Sequence, residues 1–229
     1  MLNDRRIGFI SAHYAEMKTL RTLMNEKPLY NRFFFETCGQ GPRNAAQAAE
    51  RLVEKKCDLL ISWGVAGGLN PTHKCGDLIV SNRCVSEEGQ EIFYRGNTAK
   101  DYIRRLEAVV PATSGKVTTV FKAVTSAQRK KSLFQQTKAD IVDMESHSIA
   151  KVAQANSIEF ILVKAVIDEA SDDVPNAFLE CADEFGKPKL TQTFGVIWKQ
   201  PGSISSLLKL GMKYRQSLKT LRLASQPFL

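Results

Sequence analysis

The sequence predicts an α/β three-layer sandwich with a central mixed, mostly parallel β-sheet. Three observations carry that expectation. Short β-branched runs alternate with helix-type segments along most of the chain. Two of these runs, CDLLISW and IEFILVKAVI, are apolar at almost every position, as strands covered on both faces are. No repeat, low-complexity tract or long Pro/Gly/Ser linker interrupts the pattern, so residues 1–229 are expected to form a single domain.

In chain order, RRIGFIS (5–11) reads as the first strand and RFFFETC (32–38) as the second. NAAQAAERLVEKK (44–56) is a helix by its alanines and the spacing of its apolar positions. CDLLISW (57–63) follows as the most buried strand. GDLIVSNRCV (76–85), KVTTVF (116–121), ADIVDM (139–144) and IEFILVKAVI (158–167) complete the sheet. Helices are expected over 98–110, 126–136 and 145–156. From Ser203 to about 223, Ile204, Leu207, Leu208, Tyr214, Leu218 and Leu221 keep helical spacing, with Lys209 and Lys213 opposite. That basic amphipathic helix is expected either to close the core or to touch a membrane surface.

The net charge of +8 comes from 32 Lys+Arg against 24 Asp+Glu. Residues 185–229 hold eight lysines and arginines and no acid, so residues 1–184 are balanced. The basic pI therefore does not argue for a nucleic-acid partner. The N-terminus has no signal-peptide h-region and no apolar run is long enough to span a bilayer, so a cytoplasmic protein is expected, peripheral at the inner membrane face if the last helix touches lipid. Five cysteines without a C-x-x-C pair, and only three histidines, argue for reduced thiols and against a metal site.

Two Gly-rich stretches follow strands. Gly39-Gln40-Gly41-Pro42-Arg43-Asn44 begins like a dinucleotide fingerprint but lacks the third glycine, which argues against an oxidoreductase. Trp63-Gly64-Val65-Ala66-Gly67-Gly68-Leu69 is read as a turn that lets backbone approach a ligand, without the Lys-Ser/Thr of a P-loop. Three acids, Glu16, Glu145 and Asp168, stand at strand ends, where open α/β sheets place their ligands. Asp168 directly follows ten mostly apolar residues, and an unpaired carboxylate there would be expensive to bury. Each alone also fits a plain role: a surface helix residue, an acid in a first helical turn, a solvated loop acid.

Glu16, the G-x-G, GVAGGL-NPT-x3-GD, VDMES and an apolar strand ending in Asp168, taken in that order, resemble the superfamily of purine nucleoside phosphorylases and methylthioadenosine/S-adenosylhomocysteine nucleosidases. VDMESHSIAKVA, with Asp183, Gly186, Trp198 and Pro201 in the tail, is most similar to the hopanoid-associated phosphorylases. The resemblance implies a nucleoside phosphorylase-like fold and cleavage of the N-glycosidic bond of an adenine nucleoside with a 5′ substituent, either a 5′-thioadenosine or a lipid-linked adenosine. It gives Asp168 the protonation of purine N7, Glu145 and Met144 the ribose, and Glu16 the activation of water. Ala66, Gly67, Gly68, Val124 and Thr125 would contact the nucleoside. Gly41 and Arg43, or Arg83 or Arg95, would hold phosphate if phosphate replaces water as acceptor. Ile167 and Val65 depart from the polar residues usual at their positions. No cofactor is implied, and a homodimer or larger assembly is. The other reading of the same residues is a nucleotide-binding regulatory module without catalysis.

Overall fold

The computed structural model describes residues 5–25, 31–174, 183–187 and 204–228. Trp198 and Pro201 lie outside the described residues. Among the described residues, ten strands form one mixed sheet: β1 (Ile7–Ser11), β2 (Phe33–Thr37), β3 (Leu59–Gly68), β4 (Leu78–Ser81), β5 (Arg83–Ser86), β6 (Glu91–Phe93), β7 (Ala112–Ser114), β8 (Val117–Thr119), β9 (Ile141–Asp143) and β10 (Glu159–Asp168). The main path runs β6-β5-β8-β9-β3-β10-β4-β7, and β1 joins it through β3 while carrying β2 on its other edge. β1 pairs in parallel with β2 and β3, and so do β3 with β10, β5 with β8, β8 with β9 and β4 with β7. The antiparallel pairs are β4–β10, β3–β9 and β5–β6. The expected mixed, mostly parallel α/β architecture is therefore what the chain adopts.

Strand alternation divides the interior into two layers. Phe9, Ile61, Trp63, Ile161 and Val163 point to one face, where Leu20, Tyr102, Leu221 and Phe228 cover them. Ile10, Leu60, Phe160, Leu162 and Val166 point to the other, beneath Ala45, Ala48, Ala49, Ile149 and Ala150. The small residues there belong to α3 (Pro42–Glu54) and α6 (Ser146–Ala155), whose alanines let the two helices lie close to the sheet and to each other. The first layer is closed by short turns α1 (Tyr14–Met17) and α2 (Arg21–Asn25), by α4 (Thr98–Leu106) and by the second half of the last helix. α5 (Ala127–Thr137) is capped by Ser126, whose hydroxyl accepts from the Arg129 amide at 3.2 Å.

Several expected boundaries shift for identifiable reasons. The 76–85 run is two strands broken at Asn82, whose side-chain amide donates to the Tyr94 carbonyl at 2.6 Å. Pro42 opens α3 at its first position instead of interrupting it, because that position needs no amide donor. The stretch read as a Gly-rich turn after Trp63 continues β3 to Gly68. It does so because Gly67 pairs with both Asp168 and Val142, and Gly68 pairs with Ile141.

The last helix, α7 (Ile204–Ala224), packs differently along its two halves. Ser217, Leu221 and Ala224 are buried, and the turn after it delivers Phe228 onto Phe9, Phe33 and Trp63 with ring centroids 5.1, 6.2 and 6.4 Å apart. Its C-terminal half closes the core. Its N-terminal half leaves Leu208 and Met212 64% and 62% exposed. Among the described residues, no helix is long and apolar enough to cross a membrane.

Candidate active site

A cavity of about 480 Å³ opens where β1, β3, β9 and β10 end. Glu16, Glu145 and Asp168 all line it, and so do Ala66, Gly67, Val124, Thr125 and Met144. Gly68 stands just behind, its backbone against that of Asp168: a Cβ there would come within 2.9 Å of the Asp168 carbonyl. α7 closes the cavity with Leu210 and Tyr214.

Glu16 sits one turn after β1, at the third position of α1, and is 3% exposed. Its Oε2 accepts from the His13 amide and its Oε1 from the Val65 amide, both at 2.9 Å. Gly64 makes this approach possible, since a Cβ there would stand 2.7 Å from Glu16 Oε1. The Val65 amide is thus committed to a carboxylate, while its side chain contributes to the apolar wall.

Glu145 stands at the N-cap position of α6, two residues after the end of β9. Its Oε1 accepts from the Gly41 amide at 2.9 Å and its Oε2 from the Met144 amide at 3.2 Å. Gly41 has φ 103°, a left-handed conformation that favours glycine, and its amide serves the neighbouring acid. Burial and the charge of Asp143 push the Glu145 carboxyl up to about 7, against the pull of Lys164. Asp143 lies beneath it, accepting from Thr119 Oγ1 at 2.7 Å and from Ser146.

The sequence reading missed a buried cation here. Lys164, on β10, is 4% exposed and places Nζ 3.1 Å from Asp143 Oδ2. Burial opposes its charge, but Asp143, Glu145 and Glu16 outweigh burial and hold its pKa above the ordinary lysine value. The signal was present, a lysine inside an otherwise apolar run, and it is the pattern expected of a buried charge with partners.

Asp168 ends β10, just past a bulge in its pairing with β3. Its Oδ2 accepts from Lys130 Nζ, a side chain with no exposure at all. Burial raises the Asp168 pKa, and Lys130 opposes the rise. The loop beyond is tied to the opposite rim: the Val174 amide donates to the Thr125 carbonyl at 2.7 Å and the Ala127 amide to Asp173 Oδ1 at 2.8 Å.

The other predicted phosphate contacts lie elsewhere. Arg43, Arg83 and Arg95 are exposed, and none of them lines the cavity; Arg83 stacks on Phe93 and faces Glu91 at 3.6 Å. Of the tail motif, Asp183 and Gly186 do line it. Their turn is fixed by the Gln40 amide donating to the Glu184 carbonyl at 2.9 Å and by Phe185 stacked on Tyr14. His13 and Gln40, given no role from the sequence, form a polar edge with Nε2 atoms 2.9 Å apart. The four described cysteines are free thiols. No metal-binding cluster occurs among the described residues.

The chain resembles known proteins over most of its length. It is 24% identical over 206 residues to a 5′-methylthioadenosine/S-adenosylhomocysteine nucleosidase from Staphylococcus haemolyticus, covering 82% of this chain and 89% of that protein. Among solved structures, the nucleosidase of the same name from Neisseria meningitidis, in complex with methylthio-immucillin-A, superposes with TM-score 0.70 at 19% identity, over 95% of this chain and 97% of the other. Futalosine hydrolase from Helicobacter pylori gives 0.69 at 17% identity, over 97% of each. The family model described as the phosphorylase superfamily matches residues 30–188, more than half of the sequence and the part that includes Glu145 and Asp168, so this chain belongs to the phosphorylase superfamily.

Proposed function

We propose that this chain cleaves the N-glycosidic bond of an adenine nucleoside bearing a 5′ substituent and uses water as acceptor. The observation that carries the reading is the convergence of Glu16, Glu145 and Asp168 on one cavity, each with a different set of partners. In this mechanism water attacks C1′ while the C1′–N9 electron pair moves into the purine. Asp168 delivers a proton to N7, and Glu16 takes one from the water. Glu145 accepts from the ribose hydroxyls, and the acids beside the sugar favour its cationic transition state. The apolar wall of Val120, Val124, Met144 and Ile167 suits a purine and the sugar face that Met144 would cover.

Water over phosphate is supported by the absence of any arginine among the described residues lining the cavity, and by the commitment of the Gly41 amide to Glu145. For the 5′ substituent, Leu210 and Tyr214 line the cavity on the same half-helix that exposes Leu208 and Met212. Leu208 and Met212 lie on the opposite side of α7 from Leu210 and Tyr214, so one helix that borders the cavity also offers an apolar outer face, which supports a lipid-linked adenosine of the hopanoid type over a soluble 5′-thioadenosine, with α7 touching the membrane that holds it.

The test is to incubate the protein with methylthioadenosine, S-adenosylhomocysteine and an adenosyl lipid, each with and without phosphate, and to follow adenine by chromatography. Adenine release at a rate indifferent to phosphate is expected, fastest from the lipid. A rate that requires phosphate overturns the choice of acceptor. No adenine from any of the three, with nucleoside binding unchanged in Asp168→Asn, leaves the non-catalytic nucleotide-binding module as the function.

A further inference from the structure

Lys130 is a fully buried charged side chain that the reaction above does not use. It comes from α5, inside the run Arg129-Lys130-Lys131, yet its two neighbours are exposed and it has no exposure at all. Its ammonium has three protons and three acceptors: Asp168 Oδ2, the Glu169 carbonyl at 2.8 Å and the Asp172 carbonyl at 2.9 Å. The donor set is therefore complete, and Asp168 is its one ion-pair partner among the described residues. Asp168 Oδ1 has no hydrogen-bond donor among the described residues, and the residue borders the cavity.

We propose that Lys130 is a positioning residue for the proton transfer at Asp168: it pins Oδ2 and the 168–172 loop, so that Oδ1 alone meets the leaving purine. This rests on the nucleosidase reading above. Two forces act on the acid. Burial favours its neutral form, and the ammonium favours its ionised form. A carboxyl that must hold a proton for N7 and give it up within one turnover needs both. The remaining charges near it are secondary. Asp172, on the loop, is engaged by Lys213 of α7 at 2.5 Å and by the Glu169 amide at 2.7 Å, and Glu169 is engaged by Lys74 at 3.0 Å. Lys130 is thus the only cation in direct contact with the acid among the described residues.

Lys130→Met and Lys130→Arg test this, with Lys130→Gln in place of the first should it fail to fold. Removing the cation is expected to lower kcat at least tenfold with KM little changed, and to move the alkaline limb of the pH profile upward, because Asp168 then keeps its proton to higher pH. Lys130→Arg is expected to restore that limb and part of kcat. A Met or Gln variant whose limb stays at the wild-type pH overturns the proposal. A second readout does not need turnover: the Asp168 carboxyl carbon, assigned by its loss in Asp168→Asn, is titrated by ¹³C NMR in wild type and Lys130→Met. If no nucleoside is cleaved by the wild type, the enzymatic reading fails on that result. The NMR titration separately decides whether Lys130 governs the acid, and an unshifted carboxyl sinks the pairing.

Discussion

The two ends of the cavity each bury a lysine, and they use it differently. At the end that the proposed reaction gives to the sugar, Lys164 faces three carboxylates, Asp143, Glu145 and Glu16, so the group is acid-rich even with the ammonium counted. At the end proposed for the base, Lys130 faces one carboxylate and two carbonyls, a balanced pair. Excess negative charge in a low-dielectric pocket favours a ribosyl cation, whereas a balanced pair holds a proton ready to move. Under the proposed reaction the same residue type would support charge stabilisation at one end and acid catalysis at the other, and each assignment can be broken separately.

The largest effect is expected at the base end. Asp168→Asn keeps the shape and the Lys130 contact but has no carboxyl proton to give. A positioned general acid contributes roughly 10²–10⁴ in rate, so kcat should fall by that order while nucleoside binding, followed by calorimetry, stays close to wild type. A variant that releases adenine at the wild-type rate would remove Asp168 from the chemistry and with it the contrast between the ends.

The sugar end should respond first in stability. Lys164→Met leaves Asp143 buried opposite an apolar side chain, and breaking a buried pair from one side costs about 3–5 kcal/mol. A large drop in Tm is expected near pH 7, and adding Asp143→Asn should recover part of it by removing the stranded charge. If the double variant melts no higher than the single one, the cation is not there to balance Asp143.

How visible these two ends are in the sequence differs for a physical reason. Glu16, Glu145 and Asp168 announce themselves because each follows a strand, and the alternation of apolar runs fixes the sheet on which the strands end. Lys164 also leaves a trace, a charge within IEFILVKAVI, since a doubly covered strand tolerates a lysine only where acids meet it. Lys130 leaves none. In AQRKKSLFQQT it is one of three consecutive basic residues on a helix of weak amphipathicity, a pattern shared with any solvated surface. Its burial depends on the 169–174 loop folding back over α5, a long-range contact that no local spacing encodes. The Gly-rich continuation of β3 was obscured similarly: Gly64 to Gly68 have turn-type composition, and only pairing with β9 and β10 keeps them extended.

The finest distinction concerns which end sets which side of the pH profile. In the proposed reaction Glu145, raised to about 7 by burial and Asp143, must be ionised to accept from the ribose, so activity is expected above that pH and lost as pH falls through it. Asp168 acts in the opposite sense, since the proton it donates is lost as pH rises. Asp143→Asn removes the carboxylate charge that raises Glu145 and leaves Lys164 to it, so the acid limb of kcat/KM should move to lower pH by a fraction of a unit to about one unit. The alkaline limb should stay close to where it is, because the main charges on Asp168 are those of Lys130, Asp172 and Lys213. Movement of both limbs together would mean that the two buried lysine groups titrate as one network, and the separation between a charge-stabilising end and a proton-donating end would not hold.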